Sequence, residues 1–190
     1  QAALDSSGQR AARIAWLGPP AARAYGIDVP DVGEAVFERL QVTGSHLWIE
    51  GLRFEWDQSW PDSVTHGALK AWDGADDVVV RGNTFRDYVY SIWLSPGSRD
   101  WTISDNDIVG RKNIEQEGSA AFSGEGIELQ YSEGHTVAYN SISRVADGIS
   151  YARRNVDIFG NDIFDTSDDG IEPDYGYANI RMWGNRIANV

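Results

Sequence analysis

The chain contains no cysteine. That excludes disulfides, thiol catalysis and cysteine-bound metals, and it leaves the redox compartment undecided. There is one methionine, and the three histidines (His46, His66 and His135) fall in separate segments rather than at metal-ligand spacing. Basic residues number 16 against 29 acidic ones, a formal net charge of −13. This shortage of positive charge argues against nucleic acid and against anionic membrane surfaces as partners. It also argues against tight binding of a polyanion unless Ca²⁺ bridges the charges. No apolar run is long enough to cross a bilayer, and no signal-peptide pattern opens the chain. No long stretch keeps helical spacing, and neither a glycine-rich phosphate loop nor a Gly-x-Ser-x-Gly turn occurs.

What the chain does have is a repeat. Six stretches share one pattern: Trp48–Phe54, Val79–Phe85, Thr102–Ile108, Thr136–Ile142, Asp157–Ile163 and Arg181–Ile187. Five of them carry asparagine two residues before Ile or Phe, at Asn83, Asn106, Asn140, Asn161 and Asn185. The intervals are 23, 34, 21 and 24, a base period of about 22 with one insertion around Gly110–Gly124. A second alternating run recurs about 15 residues before each asparagine, as in Gly126-Ile127-Glu128-Leu129 and Gly170-Ile171-Glu172-Pro173. Apolar–polar alternation is the strand period, and the Asn-Gly or Asp-Gly hairpin signal between paired strands is missing. The expected architecture is an all-β, right-handed, single-stranded parallel β-helix of about six coils. Residues 1–45 read as an irregular lead-in and first coil, with Ile14–Leu17 and Ala35–Phe37 as opening strands, and residues 46–190 as the regular repeats.

The segments Asp147-Gly148-Ile149, Ile158–Ile163 and Asp169-Gly170-Ile171 resemble the generic repeats of the pectate-lyase-like β-helix superfamily, from about Gly44 to Val190. That resemblance implies an extracellular protein, secreted or at the cell surface, with any export signal already removed. It does not choose among polysaccharide lyases, glycoside hydrolases, epimerases, esterases, adhesins and tailspikes. The chain begins at Gln1 and stops just after an Asn-x-Ile step with no polar cap in view. The expectation is a fragment of a longer solenoid, or an open C-terminal coil covered by self-association or by a missing segment.

Aligning the repeats separates inward from outward positions. Leu69/Ala71, Ile92/Leu94, Ile127/Leu129, Ile149/Tyr151 and Ile171/Pro173 are expected to face the bore. The asparagine row is expected to be a structural ladder rather than a catalytic feature. The outward row is Lys70, Trp93, Glu128, Ser150 and Glu172, followed two residues on by Trp72, Ser95, Gln130, Ala152 and Asp174, and preceded by Glu125, Asp147, Asp168 and Asp169. Adjacent coils lie about 4.8 Å apart and residues i and i+2 of a strand about 6.5–7 Å apart. Pairs such as Glu172 with Asp174, or Glu128 with Glu172, therefore fall near the spacing of about 6.5–9.5 Å that inverting glycoside hydrolysis needs. Crowding raises one carboxyl pKa and so supplies a protonated acid.

Glu172, Asp169, Asp168, Asp147 and Glu128 are the catalytic candidates. Trp93, Trp72, Asp174, Lys70 and Arg153 are the substrate-binding candidates, with the tryptophans offering apolar faces to sugar rings. Asp147 precedes Asp168 and Asp169 by 21 and 22 residues, one coil. This is similar to the Asp…Asp-Asp arrangement of polygalacturonase-type hydrolases, although Val145-Ala146 stands where that family has Asn-Thr. A competing reading makes each Asp-Gly a coil turn. The expected function is polysaccharide hydrolysis by a carboxylate pair. The alternatives are a non-catalytic glycan-binding or adhesin segment, and a Ca²⁺-dependent lyase or epimerase. Ca²⁺ is the one cofactor the acidic cluster suggests, since hard cations want clustered oxygens.

Overall fold

A computed structural model describes residues 2–4, 13–27, 36–56, 67–72, 74–111 and 124–190. His66 and most of the expected insertion, residues 112–123, lie outside them. The described strands form three parallel sheets. Sheet one stacks Ala2–Leu4, Leu40–Val42, Gly67–Ala71, Tyr90–Trp93, Glu125–Glu128, Asp147–Ser150 and Ile171–Glu172. Sheet two stacks Ile14–Leu17, Leu47–Glu50, Val78–Arg81, Thr102–Ser104, Thr136–Ala138, Arg154–Phe159 and Ala178–Trp183. Sheet three stacks Val36–Phe37, Arg53–Glu55, Thr84–Arg86, Asp107–Val109, Ser141–Ser143, Asp162–Phe164 and Arg186–Ala188. The chain visits sheets one, two and three in turn, so the molecule is a parallel β-helix. Among the described residues each sheet has seven strands against about six coils expected; the opening strands expected near Ile14–Leu17 and Val36–Phe37 are present, with Ala2–Leu4 before them.

The bore is filled by rows in strict register. In sheet one the row is Leu40, Leu69, Ile92, Ile127 and Ile149; in sheet two it is Ile49, Val80, Ile103, Val137 and Ile158. All are buried. In sheet three Phe54 and Phe85 stack with ring centroids 4.7 Å apart, continuing into Ile108, Ile142 and Ile163. Each such side chain contributes about 1.5–3 kcal/mol by leaving water.

The asparagines form the expected ladder at the bend before sheet three. Nδ2 of Asn83, Asn106, Asn140 and Asn161 donates to Oδ1 of the next asparagine at 2.9–3.1 Å. Each of these also gives its backbone N–H to that same Oδ1 and a second Nδ2 hydrogen to a carbonyl of the preceding coil. On the second rung Leu52 takes the asparagine's place, and only its N–H joins, to Asn83 Oδ1 at 3.0 Å.

The two Asp-Gly-Ile segments differ: Asp168 to Gly170 form a bend that leads into the strand Ile171–Glu172, as the turn reading has it, but the earlier segment is not a turn. Asp147 and Gly148 belong to the strand Asp147–Ser150. Glycine is required there because a Cβ on Gly148 would lie 2.3 Å from Gly170 O and 2.6 Å from Ile163 Cγ2. Other local phases differ from expectation. His46 and His135, which stand before the similar runs Leu47-Trp48 and Thr136-Val137, are expected at one repeat phase but do not share it. Strand register aligns His135 with Trp101, Val78 and Leu47, an inward row, while His46 sits one residue earlier at a corner with φ 58°. A one-residue slip changes the face completely. Tyr151 also takes a positive φ, 58°, which turns it outward and gives its inward place to Ala152. Pro173 is likewise exposed.

Candidate acidic site on sheet one

The outward row of sheet one forms as a register line: Gln41, Lys70, Trp93, Glu128, Ser150 and Glu172 are paired strand to strand. A second row lies three residues earlier. Glu125 pairs with Asp147, and Asp147 Oδ1 accepts the Asp169 N–H at 2.8 Å. Ile127, Ile149 and Ile171 stand in register just before the outward row. Charge effects tie Glu125 to Glu128, Asp147 and Glu172, and Glu172 to Asp168, Asp169 and Asp174, so the seven carboxyls share one neighbourhood.

Their environments differ. Glu125 and Glu128 are only 4% and 3% exposed, and they share a hydrogen bond. Burial pushes the Glu125 pKa strongly upward, reinforced by that bond and by the charges of Glu128, Asp147 and Glu172. Burial raises Glu128 too, while the bond from Glu125 and the charge of Lys70 pull it back. Burial and mutual repulsion therefore push the pair as a whole toward holding a proton, Glu125 more than Glu128. Gln130 Nε2 donates to Glu128 Oε1 from the other side. Glu128 is enclosed and internally satisfied, and so it is not presented to a bulky substrate.

Glu172 is different. It is half-buried, and its Oε2 has no protein partner. Its pKa is pushed up to about 7, first by burial and then by Asp147, Asp174, Asp169 and Asp168. Pro173 follows it, which favours an extended conformation at Glu172 and sets the offset to exposed Asp174. Asp168 and Asp169 are exposed, and Asp147 is nearly buried beside them. One carboxylate oxygen from each of these three lies within 4.8 Å of the others.

The basic and aromatic candidates sit around this cluster. Lys70 Nζ lies 3.8 Å from the centre of the Trp93 ring and 5.5 Å from that of Trp72. Burial lowers its pKa and Glu128 partly restores it. Trp93 also stacks on Tyr90 at 5.0 Å, so it is already engaged, whereas Trp72 is 47% exposed. Arg153 is exposed, and its carbonyl accepts the Tyr177 N–H at 2.8 Å.

Tyr131 and Tyr175 carry no role in the sequence reading, and Tyr151 is expected there in the bore. They make a three-ring cluster with centroids 5.2–5.7 Å apart. All three have φ of 58–62°, a rare conformation for a bulky residue that often marks function. Burial raises the pKa values of Tyr131 and Tyr151, and the charges of Glu172, Glu125 and Glu128 raise them further, which places these two rings beside the carboxylates. The available signal was their spacing: Tyr131 and Tyr175 each follow the outward Glu by three residues.

The family model described as "Periplasmic copper-binding protein (NosD)" matches residues 50–190. The chain belongs to the NosD family. NosD is a parallel β-helix family, in accord with the three sheets, and its description places its members in the periplasm, among exported proteins. No curated protein and no solved structure matches the chain. Among the described residues no helix is long and apolar enough to cross a membrane. The NosD match runs from the second rung of sheet two to the last strand, so the whole acidic face lies inside it.

Proposed function

We propose that this NosD-family chain is an exported protein that hydrolyses a neutral or mildly acidic polysaccharide on the acidic face of sheet one. The observation that carries the reading is Glu172, a half-buried carboxyl held up to about 7 by burial and by four aspartates. Near neutral pH such a group still holds a proton to give. Glu172 protonates the glycosidic oxygen as the bond to the anomeric carbon breaks. Asp174, two residues on in the turn closed by the Gly176 N–H to Pro173 O, and close enough for its charge to raise the Glu172 pKa, takes a proton from the water that attacks that carbon, the division of labour of an inverting pair. Exposed Trp72 and the Tyr131–Tyr151–Tyr175 cluster supply apolar ring faces for sugar.

Copper, named in the family description, does not match the residues here. Copper sites draw on imidazole, thiolate and thioether ligands, and the chain has no cysteine, one methionine and three histidines. Both ring nitrogens of His135 are used: Nδ1 accepts the Trp101 N–H at 3.1 Å and Nε2 meets Ser132 Oγ at 2.7 Å. Burial holds its pKa down at about 3. His46 Nδ1 is bound to Asp77 at 2.8 Å, and Met182 stands in sheet two.

The test is release of reducing ends from a panel of neutral and uronate-containing polysaccharides, run in EDTA. Glu172→Gln should abolish release, and Asp174→Asn should reduce it at least a hundredfold, with unchanged circular dichroism. No release by the wild type, or full activity in Glu172→Gln, refutes the reading.

A further inference from the structure

We infer that Tyr131, Tyr151 and Tyr175, with Glu172 and Asp174 beside them, form a site for an organic cation, an ammonium group carried by an amino sugar or by a small amine. The inference goes beyond the hydrolytic reading, which gives these rings only the apolar face of a sugar, and it does not require Glu172 to act as an acid. The three centroids are 5.2–5.7 Å apart, so one cation can lie within about 6 Å of all of them, the reach of a cation–π contact. Tyr131 and Tyr151 are stacked at 24°, whereas Tyr175 stands at 87° and 63° to them, so the ring faces turn in more than one direction.

Elsewhere on the outer surface the protein's own cations cover aromatic rings. Arg13 lies 6.0 Å from the centre of Trp48, Lys70 lies 3.8 Å from Trp93 and 5.5 Å from Trp72, and Arg154 lies 4.6 Å from Tyr177, two residues beyond Tyr175. Among the described residues no lysine or arginine covers Tyr131, Tyr151 or Tyr175. Yet these rings stand where the charge is most negative. Tyr151 follows Ser150, which is paired between Glu128 and Glu172, and Tyr175 follows Asp174. Burial and then the carboxylate charges raise the pKa values of Tyr131 and Tyr151, so the rings stay neutral in a negative field. Glu172 Oε2 is buried without a hydrogen-bond partner and is free to accept an ammonium N–H. Tyr175 is 67% exposed, so its face is open to a ligand. A site lined by rings, with carboxylates to one side, selects an organic cation over a hard metal ion, which wants a shell of oxygens.

Isothermal titration with choline and with a glucosamine oligosaccharide tests this, alongside their uncharged counterparts: the choline isostere with carbon in place of nitrogen, and the N-acetylated oligosaccharide. The expected result is that at least one charged probe binds about tenfold or more tightly than its counterpart. Choline binding alone identifies a small amine as the source, and tighter binding of the glucosamine oligosaccharide identifies a glycan. Tyr175→Leu should weaken the charged probe about tenfold, and Tyr175→Phe, which keeps the ring, should bind it as the wild type does. Circular dichroism should be unchanged in both, since Tyr175 is exposed. No probe in this titration has to be cleaved, so loss of the hydrolytic reading leaves the result intact, and the reverse holds for polysaccharide hydrolysis. Absence of binding by both charged probes, equal binding of charged and uncharged partners, or unchanged affinity in Tyr175→Leu overturns the inference.

Discussion

Replacing Asn140 by alanine should be among the most damaging single changes in this molecule, and the hydrogen bonds say by how much. Asn140 Oδ1 accepts the Asn106 N–H at 3.1 Å and Asn106 Nδ2 at 2.9 Å. Its Nδ2 donates to Ile103 O at 3.0 Å and to Asn161 Oδ1 at 3.0 Å. Truncation therefore strips a bond from the Asn106 N–H, from one Asn106 amide hydrogen and from Ile103 O. Asn161 Oδ1 keeps the Asn140 backbone N–H at 3.0 Å. Asn106 and Asn140 are 2% and 1% exposed, so water does not replace what is lost. At about 1–3 kcal/mol for each of the three buried orphans, the expected cost is roughly 3–9 kcal/mol. Asn185→Ala removes similar bonds from a half-buried rung and should cost only about 1–2 kcal/mol. Guanidinium unfolding followed by tryptophan fluorescence and circular dichroism measures both variants. Solenoids can unfold in segments, so hydrogen exchange at the Asn106 amide gives the local check. A loss below about 1 kcal/mol for Asn140→Ala, or equal losses at the two sites, refutes the reasoning.

Further outcomes follow from single groups. If Glu172 is the acid, hydrolysis in EDTA should fall as pH rises through about 7, since the proton it donates is lost there; a rate that rises across that pH rules the role out. Raised folded-state pKa values mean that Glu125 and Glu172 bind more protons folded than unfolded above pH 4.5, so their contribution to stability declines as pH rises from there. Glu125→Gln should therefore raise the guanidinium midpoint at pH 8 and change it little at pH 4, and a lower midpoint at pH 8 contradicts this. His135, with its pKa lowered to about 3, should stay neutral with its proton on Nε2 at pH 5, read from its ¹⁵N shifts; below pH 6.5 it draws stability down as the unfolded chain takes up the proton. Gly148→Ala should destabilise the fold by more than about 2 kcal/mol, because its Cβ meets backbone oxygen on the next coil.

The architecture was readable because a solenoid repeats its instructions. Asn83 to Asn185 and the alternating Ile rows recur at one phase, so each rung corroborates the others. The row of Lys70, Trp93, Glu128, Ser150 and Glu172 was legible for the same reason, and strand pairing reproduces it residue for residue. What the period does not carry is local. Tyr151 leaves the inward row because its own φ is positive, and His135 and His46 differ by a single residue of register. Alternation also says that Glu128 faces outward, not that it is enclosed by Gln130 and paired to Glu125. Exposure on a solenoid face is decided by neighbours several coils away. For that reason the sequence could place Glu128 beside Glu172 without separating an internally satisfied carboxylate from one open to solvent.

The asparagine ladder has a direction. From Asn83 to Asn161, every rung's N–H and Nδ2 give their hydrogens to the oxygen of the rung that follows it in the chain. The side-chain dipoles therefore point one way along the axis, and in such a chain each bond polarises the next. The two sides of any rung are therefore chemically different: toward the C-terminus it offers two hydrogens, and toward the N-terminus one amide oxygen that takes both of its neighbour's. A coil inserted or removed anywhere in the row must match both, so the ladder fixes the order of stacking and not merely its spacing.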